Sequence, residues 1–258
     1  MNIAALYRFP IKGLSAESLP QVGLRAGFGF PMDRVYAVTD GSLDFDEAIP
    51  KPAPKTQFLM LAKYERLARL KTRYVDADNL MVVEEAGLPA KQFRLDVHED
   101  REAFAAFLGG YVGMPLPGKP RLVRAEGHQF TDVSVHGVEL MRSISLINLA
   151  TVRDLSEKLG AVLDPVRFRG NLVFDGAPAW SELDWVGRTL HVGDVKLRII
   201  RRTKRCAATS VNPQTAIRDV NVPLGIRDKQ GHGDLGVYAE VVTPGTIAAG
   251  DAMVLQEA

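Results

Sequence analysis

Cysteine is nearly missing from this chain. Among 258 residues only Cys206 occurs, so no intrachain disulfide can form and no cysteine-rich zinc or iron–sulfur site can be assembled. Net charge is nearly missing as well. Thirty-two Lys and Arg stand against 31 Asp and Glu, leaving +1. That balance excludes a dedicated nucleic-acid binder or a polybasic membrane binder, whose affinity rests on neutralising phosphates, but it leaves room for a local anion pocket. No apolar run approaches the roughly 20 residues of a membrane helix. The opening Met1–Arg8 has neither the basic region nor the long apolar region of a signal peptide, so the expectation is a soluble cytoplasmic protein with no membrane role. His98, His128, His136, His191 and His232 form no i,i+3 or i,i+4 pair and no His-Glu-x-x-His frame, which argues against a zinc hydrolase. Ser143 and Ser145 lack a Gly-x-Ser-x-Gly frame, and no dinucleotide or Walker-type glycine loop is present.

What is there is globular. With 46% hydrophobic and 24% charged residues, the chain can build one large domain or two modest ones. Short segments rich in β-formers dominate: 3–9, 34–39, 79–83, 121–124, 171–174, 189–192, 195–200, 236–242 and 252–255, most of them bounded by Gly, Pro, Asn or Asp. Gly193-Asp194 reads as the tight turn of a hairpin. Helical spacing predicts helices over 65–74, 99–108 and 145–159, the last with Ser145 as N-cap and Gly160 as stop. Residues 109–120 hold four glycines and three prolines, placing a soft domain boundary near 118 between an N-terminal unit, 1–118, and a C-terminal unit, 119–258. The Pro-rich stretch 49–54 reads as an extended surface loop. The fold class expected is α+β, rich in β-barrel, with flanking helices.

Cys206 follows Arg201, Arg202, Lys204 and Arg205 directly after a strand. Two readings stand beside each other. A lone cysteine commonly fills a core as a small hydrophobe. Four basic residues within five positions also stabilise a thiolate, the form that binds metal or attacks sulfur. Arg169 in Phe168-Arg169-Gly170-Asn171 can fork onto a phosphate or a heterocycle edge, and Asn171 offers both a donor and an acceptor, although a structural arginine beside a strand is equally common. Lys12-Gly13 and Met32-Asp33-Arg34 carry the same ambiguity between anion contact and ordinary surface. Trp180, Asp184 and Trp185 read as core and loop anchors.

Taken in order, Phe168-Arg-Gly-Asn171, Trp180-x4-Trp185, Arg205-Cys206-x2-Thr209-x2-Asn212-Pro213-x-Thr215, Gly236-Val-Tyr238 and Pro244–Asp251 resemble the MOSC family. Tyr7–Lys12 and Met32–Arg34 are similar to the β-barrel domain that precedes MOSC in amidoxime-reducing-component-like proteins. The resemblance spans roughly residues 3–255. It implies a molybdenum–pterin cofactor with Cys206 as protein ligand of the metal and as the catalytic cysteine. It also implies pterin and phosphate contacts at Lys12, Arg34, Arg169 and Asn171, with Ser145, Arg205 and Tyr238 beside them. A soft sulfur donor suits such a metal, and arginine forks suit an anionic phosphate. An N-cap at Ser145 would add a helix start as an anion seat.

Three departures stand out. Gly13 replaces the serine that often follows the lysine, Gly170 replaces a proline, and the usual Thr-x-Arg segment is not recognisable, residues 49–57 taking its place. The function implied is reduction of small N-hydroxylated compounds, with electrons from a separate ferredoxin-, flavodoxin- or cytochrome-type protein, because the chain lacks the cysteines of an appended ferredoxin cluster. The alternatives are a cofactor carrier or sulfur-transfer module with a persulfide on Cys206, and a binding domain that has lost the metal.

Overall fold

A computed structural model describes residues 1–256. Strands β1 (Asn2–Arg8), β2 (Glu17–Leu19), β3 (Gln21–Leu24), β4 (Tyr36–Val38), β5 (Lys71–Val75), β6 (Leu80–Glu84) and β7 (Lys91–Arg94) lead into helix α1 (His98–Tyr111). Strand β8 (Leu122–Arg124) is followed by α2 (Val138–Met141), β9 (Ile144–Asn148), α3 (Leu149–Leu159), β10 (Leu172–Asp175), β11 (Thr189–Val192) and β12 (Val195–Lys204). Helix α4 (Val222–Gln230), β13 (Asp234–Thr243), β14 (Gly245–Ala248) and β15 (Met253–Leu255) complete an α+β, strand-rich fold.

Eight strands form one sheet in the order β15-β11-β12-β13-β9-β10-β1-β2. All neighbours are antiparallel except β9 and β10. The sheet curls back on itself. Ile3 N–H donates to Asp251 O (2.9 Å), Gly250 N–H to Ile3 O (2.8 Å) and Met253 N–H to Met1 O (2.8 Å), joining β1 to the segment that leads into β15. Its inner face carries Leu6, Leu146, Phe174, Leu197, Ile199 and Val237, all buried in one core, as alternating side chains demand. Helices α3 and α4 cover the outer face through Val152, Leu155, Val222 and Ile226. The antiparallel sheet β5-β6-β7 packs on α1 around a second core that includes Tyr36, Leu67, Met81, Phe104 and Leu108.

Two sequence expectations are corrected. Residues 65–74 are not a helix. Glu65–Arg69 makes one 3-10 turn, and Lys71–Val75 is a strand whose Thr72 and Tyr74 point inward. Leu70 and Tyr74, four residues apart, satisfy both periods, and pairing with β6 selects the two-residue one. Ser145 is not a helix cap either. It lies within β9, whose five residues are all buried between β10 and β13, and α3 begins at Leu149 under the Asn148 cap, which accepts from Ala150 N–H (3.1 Å). A helix start at Ser145, with its anion seat, is therefore absent. A run as apolar as Ile144-Ser-Leu-Ile is ambiguous on its own, and a strand buried on both faces resolves it.

Fully buried Glu182 ties the turn after β10 to α3, accepting from Asn148 Nδ2 (3.0 Å) and Thr151 Oγ1 (2.8 Å). Burial raises its pKa above the ordinary carboxylate value, against those two hydrogen bonds. The folded state then holds a proton that the unfolded chain releases, so stability falls as pH rises from the unfolded pKa through the raised folded one. Thermal melts between pH 4 and pH 8 are expected to show the wild type losing stability relative to Glu182→Gln as pH rises. The variant melts at least as high as the wild type at pH 8; a lower melting temperature there would show that the charged carboxylate is the stabilising form.

Candidate functional site

Lys12 and Arg34 reach the same place because β1 and β4 exchange backbone bonds just beyond their ends. Lys12 N–H donates to Tyr36 O (2.9 Å) and Arg34 N–H to Phe9 O (2.7 Å). Arg34 and Arg169 both adopt left-handed backbone angles (φ 53° and 52°), a strained choice for arginine. Their guanidinium groups lie over the Phe9 ring at 4.7 and 4.2 Å, and Arg34 Nη2 donates to Arg169 O (2.9 Å). Strand β13 puts Tyr238 opposite Ser145 of β9. Asn171 N–H donates to Ser145 O (2.8 Å), while its side chain accepts from Ser145 N–H (3.1 Å) and donates to Tyr7 O (3.3 Å). Its amide thus holds β9 beside β1.

Strand β12 runs through the basic cluster and ends at Lys204, so Arg205 and Cys206 open the loop beyond it. Arg205 folds inward, donating to Leu235 O (2.7 Å) and Phe168 O (2.8 Å). Cys206 caps a 3-10 turn through its backbone carbonyl, which accepts from Thr209 N–H (3.0 Å) and Thr209 Oγ1 (2.9 Å); its thiol is half-buried.

Lys12, Arg34, Ser145, Arg169, Asn171, Arg205, Cys206 and Tyr238 all line one cavity of about 400 Å³. Three further residues stand there that the sequence does not single out: Lys55, Asp132 and Arg167. Buried Lys12 donates to Phe130 O (3.0 Å) and to Asp132 Oδ1, and Lys55 donates to Asp132 Oδ2 (2.9 Å). Arg167 is clamped by Asp219 (2.6 Å). Among the described residues no group of three His, Cys, Asp or Glu side chains converges to hold a metal ion; the sulfur atoms lining the cavity are those of Cys206 and Met60.

The cavity's charge is poorly compensated. Burial first, then Arg34, pushes the Arg169 guanidinium down to about 9, although Asp33, Asp132 and Cys206 pull the other way. Burial pushes Arg205 down to about 10 and lowers Lys12, the latter against the attraction of Asp132. Asp132, on the cavity wall, is held well below the usual carboxylate range by Lys12 and Lys55 against a desolvation cost. Among the described residues, five of the nine buried side-chain polar atoms without a partner belong to cavity residues: Ser145 Oγ, Arg167 Nε, Arg169 Nη2, Thr203 Oγ1 and Arg205 Nη2. Each costs about 1–3 kcal/mol while unpaired, and more when charged. A ligand rich in anionic and acceptor atoms recovers that cost; a neutral apolar one does not.

The class defined by fold and site is a strand-rich protein with a cation-lined cavity that displays one thiol. The comparisons name it further. A MOSC N-terminal beta barrel domain matches residues 1–109 and a MOSC domain matches residues 132–254; the chain belongs to the MOSC family. It is similar to mitochondrial amidoxime-reducing component 1 of Mus musculus, 24% identical over 285 residues that cover 98% of this chain and 82% of that protein. The protein of the same name from Homo sapiens is 30% identical over 122 residues, 43% of this chain and 36% of the relative. Among solved structures, the YUAD protein of Bacillus subtilis aligns over 98% of this chain and 93% of its own at 13% identity and a TM-score of 0.45. YiiM of Geobacillus stearothermophilus aligns over 44% and 54%, at 21% identity and a TM-score of 0.35. Among the described residues no helix is long and apolar enough to cross a membrane.

Proposed function

We propose that this protein is a molybdenum-cofactor oxidoreductase that reduces small N-hydroxylated compounds in the cytoplasm, with electrons from a separate redox protein. One observation carries the reading: a lone half-buried thiol shares its cavity with buried, under-neutralised cations whose donors lack partners. The similarity to amidoxime-reducing components supports it.

The donor set fits such a cofactor. Arg169 Nη2, Arg205 Nη2 and Ser145 Oγ are buried and unpartnered, which suits an anionic, hydrogen-bonding group. Cys206 would hold the metal; Lys12, Arg34, Arg169 and Arg205 would face the phosphate and pterin, with Ser145 and Tyr238 as hydroxyl partners. Asn171 fixes the β9–β1 spacing on which they depend. The unit 1–118 contributes Lys12 and Arg34, and the unit 119–258 the rest. When bound, the cofactor supplies two-electron redox chemistry at its metal. Reduction of an N-hydroxyl group to N–H consumes an electron pair and protons and releases water, so a donor protein must deliver the electrons. The chain's own part is to bind the anionic group, orient it, and exclude bulk water from a cavity of about 400 Å³.

Protein purified from a host that makes the cofactor is expected to carry molybdenum and pterin at close to one per chain and to reduce an amidoxime with a chemical electron donor. Absence of both metal and pterin overturns the reading. A labile sulfur adduct on Cys206, found by mass spectrometry without any reductase activity, favours the sulfur-carrier alternative.

A further inference from the structure

Of the run Arg205-Cys206-x2-Thr209-x2-Asn212-Pro213-x-Thr215, only the part up to Thr209 lines the cavity. The remainder folds into a tight loop outside it, organised by Asn212. The Asn212 Oδ1 accepts from Gln214 N–H (2.9 Å) and Thr215 N–H (3.2 Å). Its backbone N–H donates to Ile217 O (2.8 Å), its carbonyl accepts from Ala216 N–H (2.8 Å), and Val211 bridges Arg218. The chain thus doubles back and returns Arg218 to the start of the loop.

There the Arg218 guanidinium spans a seam between the two units. Its Nη1 donates to Ala207 O (3.1 Å) in the unit 119–258. Its Nη2 donates to Ala62 O (3.0 Å), Leu61 O (3.3 Å) and Glu65 Oε2 (3.1 Å), all in the unit 1–118. The lip it grips is itself fixed. After the 3-10 turn Lys55–Gln57, Phe58 and Leu59 are buried, Leu59 N–H donates to Val38 O (2.8 Å) and Tyr64 N–H to Met60 O (2.9 Å). Leu61, Ala62 and Ala208 line the cavity, whereas Arg218 stands outside its wall. A second cation crosses the same seam further along the loop: Lys71 Nζ donates to Pro213 O (2.8 Å).

We propose that Arg218 is a positioning residue: its planar fork latches the loop that begins at Cys206 to the Leu61–Ala62 lip, and so fixes where the thiol stands without touching what the cavity holds. Ala207 is the next residue after Cys206, so restraint on its carbonyl restrains the backbone that carries the sulfur. A guanidinium presents its donors in a rigid fork and serves acceptors on two sides at once; an ammonium, a compact charge on a flexible stem, does not hold the same set in fixed geometry. Arg218 and Glu65 are both exposed at their tips, so their ion pair adds little to stability, and the latch acts through geometry. The inference deepens the reading of Cys206 as a metal ligand, yet the latch itself is tested with no cofactor present.

The lone cysteine makes the test a single-site one. Wild type, Arg218→Met, Arg218→Lys and Lys71→Met are purified from a host that does not make the cofactor, and alkylation of Cys206 by iodoacetamide is timed by mass spectrometry beside a thermal melt. Arg218→Met is expected to melt within about 5 °C of the wild type. Its thiol should alkylate about 3–10-fold faster, the effect on local opening of losing roughly one net hydrogen bond. Lys71→Met, which cuts the other crossing, should stay within about twofold of the wild-type rate. Arg218→Lys, which keeps the charge but not the fork, should react as fast as Arg218→Met. From a host that makes the cofactor, Arg218→Met should retain molybdenum about tenfold more weakly than the wild type. A wild-type alkylation rate in Arg218→Met, or an equal acceleration in Lys71→Met, overturns the latch and leaves the cofactor reading intact. Full rescue by Arg218→Lys overturns it too, as does a melt lowered by more than about 10 °C in Arg218→Met, which would mark a merely structural bond. A wild type without molybdenum brings down the cofactor reading, while the alkylation rates still decide the latch.

Discussion

Cys206→Ala is expected to yield a folded protein with less than about a tenth of the wild-type molybdenum. The fold does not need the sulfur. The residue caps its 3-10 turn through the backbone carbonyl, and the thiol is half-buried in a polar cavity rather than packed in one of the hydrophobic cores. Losing it should cost about 1 kcal/mol or less, below the 2–5 kcal/mol of a large aliphatic truncation in a core. On the proposed reading the metal would lose its thiolate; the cavity's other sulfur is the uncharged thioether of Met60, and among the described residues no group of three His, Cys, Asp or Glu side chains offers a substitute. Cys206→Ser makes a sharper comparison: it preserves size and polarity but replaces sulfur by a hard oxygen, and should fail almost as badly. Metal analysis beside a thermal melt checks both. Full molybdenum content in either variant, with a normal melt, would show that the arginine contacts alone hold the cofactor, and the ligand role of Cys206 would fall.

Gly13→Ser, which restores the residue the resembling proteins often carry, is expected to destabilise this protein by about 3 kcal/mol rather than improve its site. Gly13 has φ +84°, and a Cβ there would lie 2.6 Å from Leu59 O and 3.2 Å from Met60 Cα, both backbone atoms that cannot swing away. The left-handed backbone contributes about 1–2 kcal/mol of that cost and the enforced shift of the 59–60 segment the remainder. For a chain of this size the melting temperature should drop by roughly 6–12 °C. The displaced segment follows directly on the Lys55 turn, so cofactor retention should fall as well. A Gly13→Ser protein that melts like the wild type and holds molybdenum more tightly would refute this argument. Gly170, where the resembling proteins have proline, tells the same story: a Cβ there would sit 2.4 Å from Ile147 Cγ1 of the buried strand β9. Both departures are backbone packing solutions of this chain.

Much of the architecture was legible because short β-rich runs with turn residues at their ends carry a local signal. Strand β11 and the hairpin into β12 follow the sequence reading closely, as does α1. The elements that escaped are those whose reason is tertiary. Helix α4 spans nine residues and contains Gly225, poor helix material; it forms because Asn221 caps it, because Pro223 sits in the first turn where a missing N–H costs nothing, and because Gly225 lets it approach Leu159 of α3, where a Cβ would meet the leucine at 2.7 Å. Strands β3 and β14 pair across more than two hundred residues of chain, and neither is long enough to announce itself. The sequence offers Ser145 both as a cofactor contact and as a helix cap; the residue lines the cavity, while the cap gives way to a buried strand. Lys55 and Asp132 had no legible signal. An aspartate in a loop gains meaning only when Lys12, 120 positions earlier in the chain, meets it.

The closure of the eight-stranded sheet also has a temporal side. Strand β1 pairs locally with β2, yet its other partners are β10 and the segment around Gly250–Met253, and β3 must wait for β14. During synthesis β1 can form its short ladder with β2 at once, while one edge waits for β10 and the Met1–Ile3 part of the other waits for residues 250–253. Contacts of such long sequence separation are slow to form, and an exposed strand edge in the interval invites aggregation. A nascent chain of this protein is the kind that chaperones hold, and its two halves produced as separate polypeptides would each present an incomplete sheet.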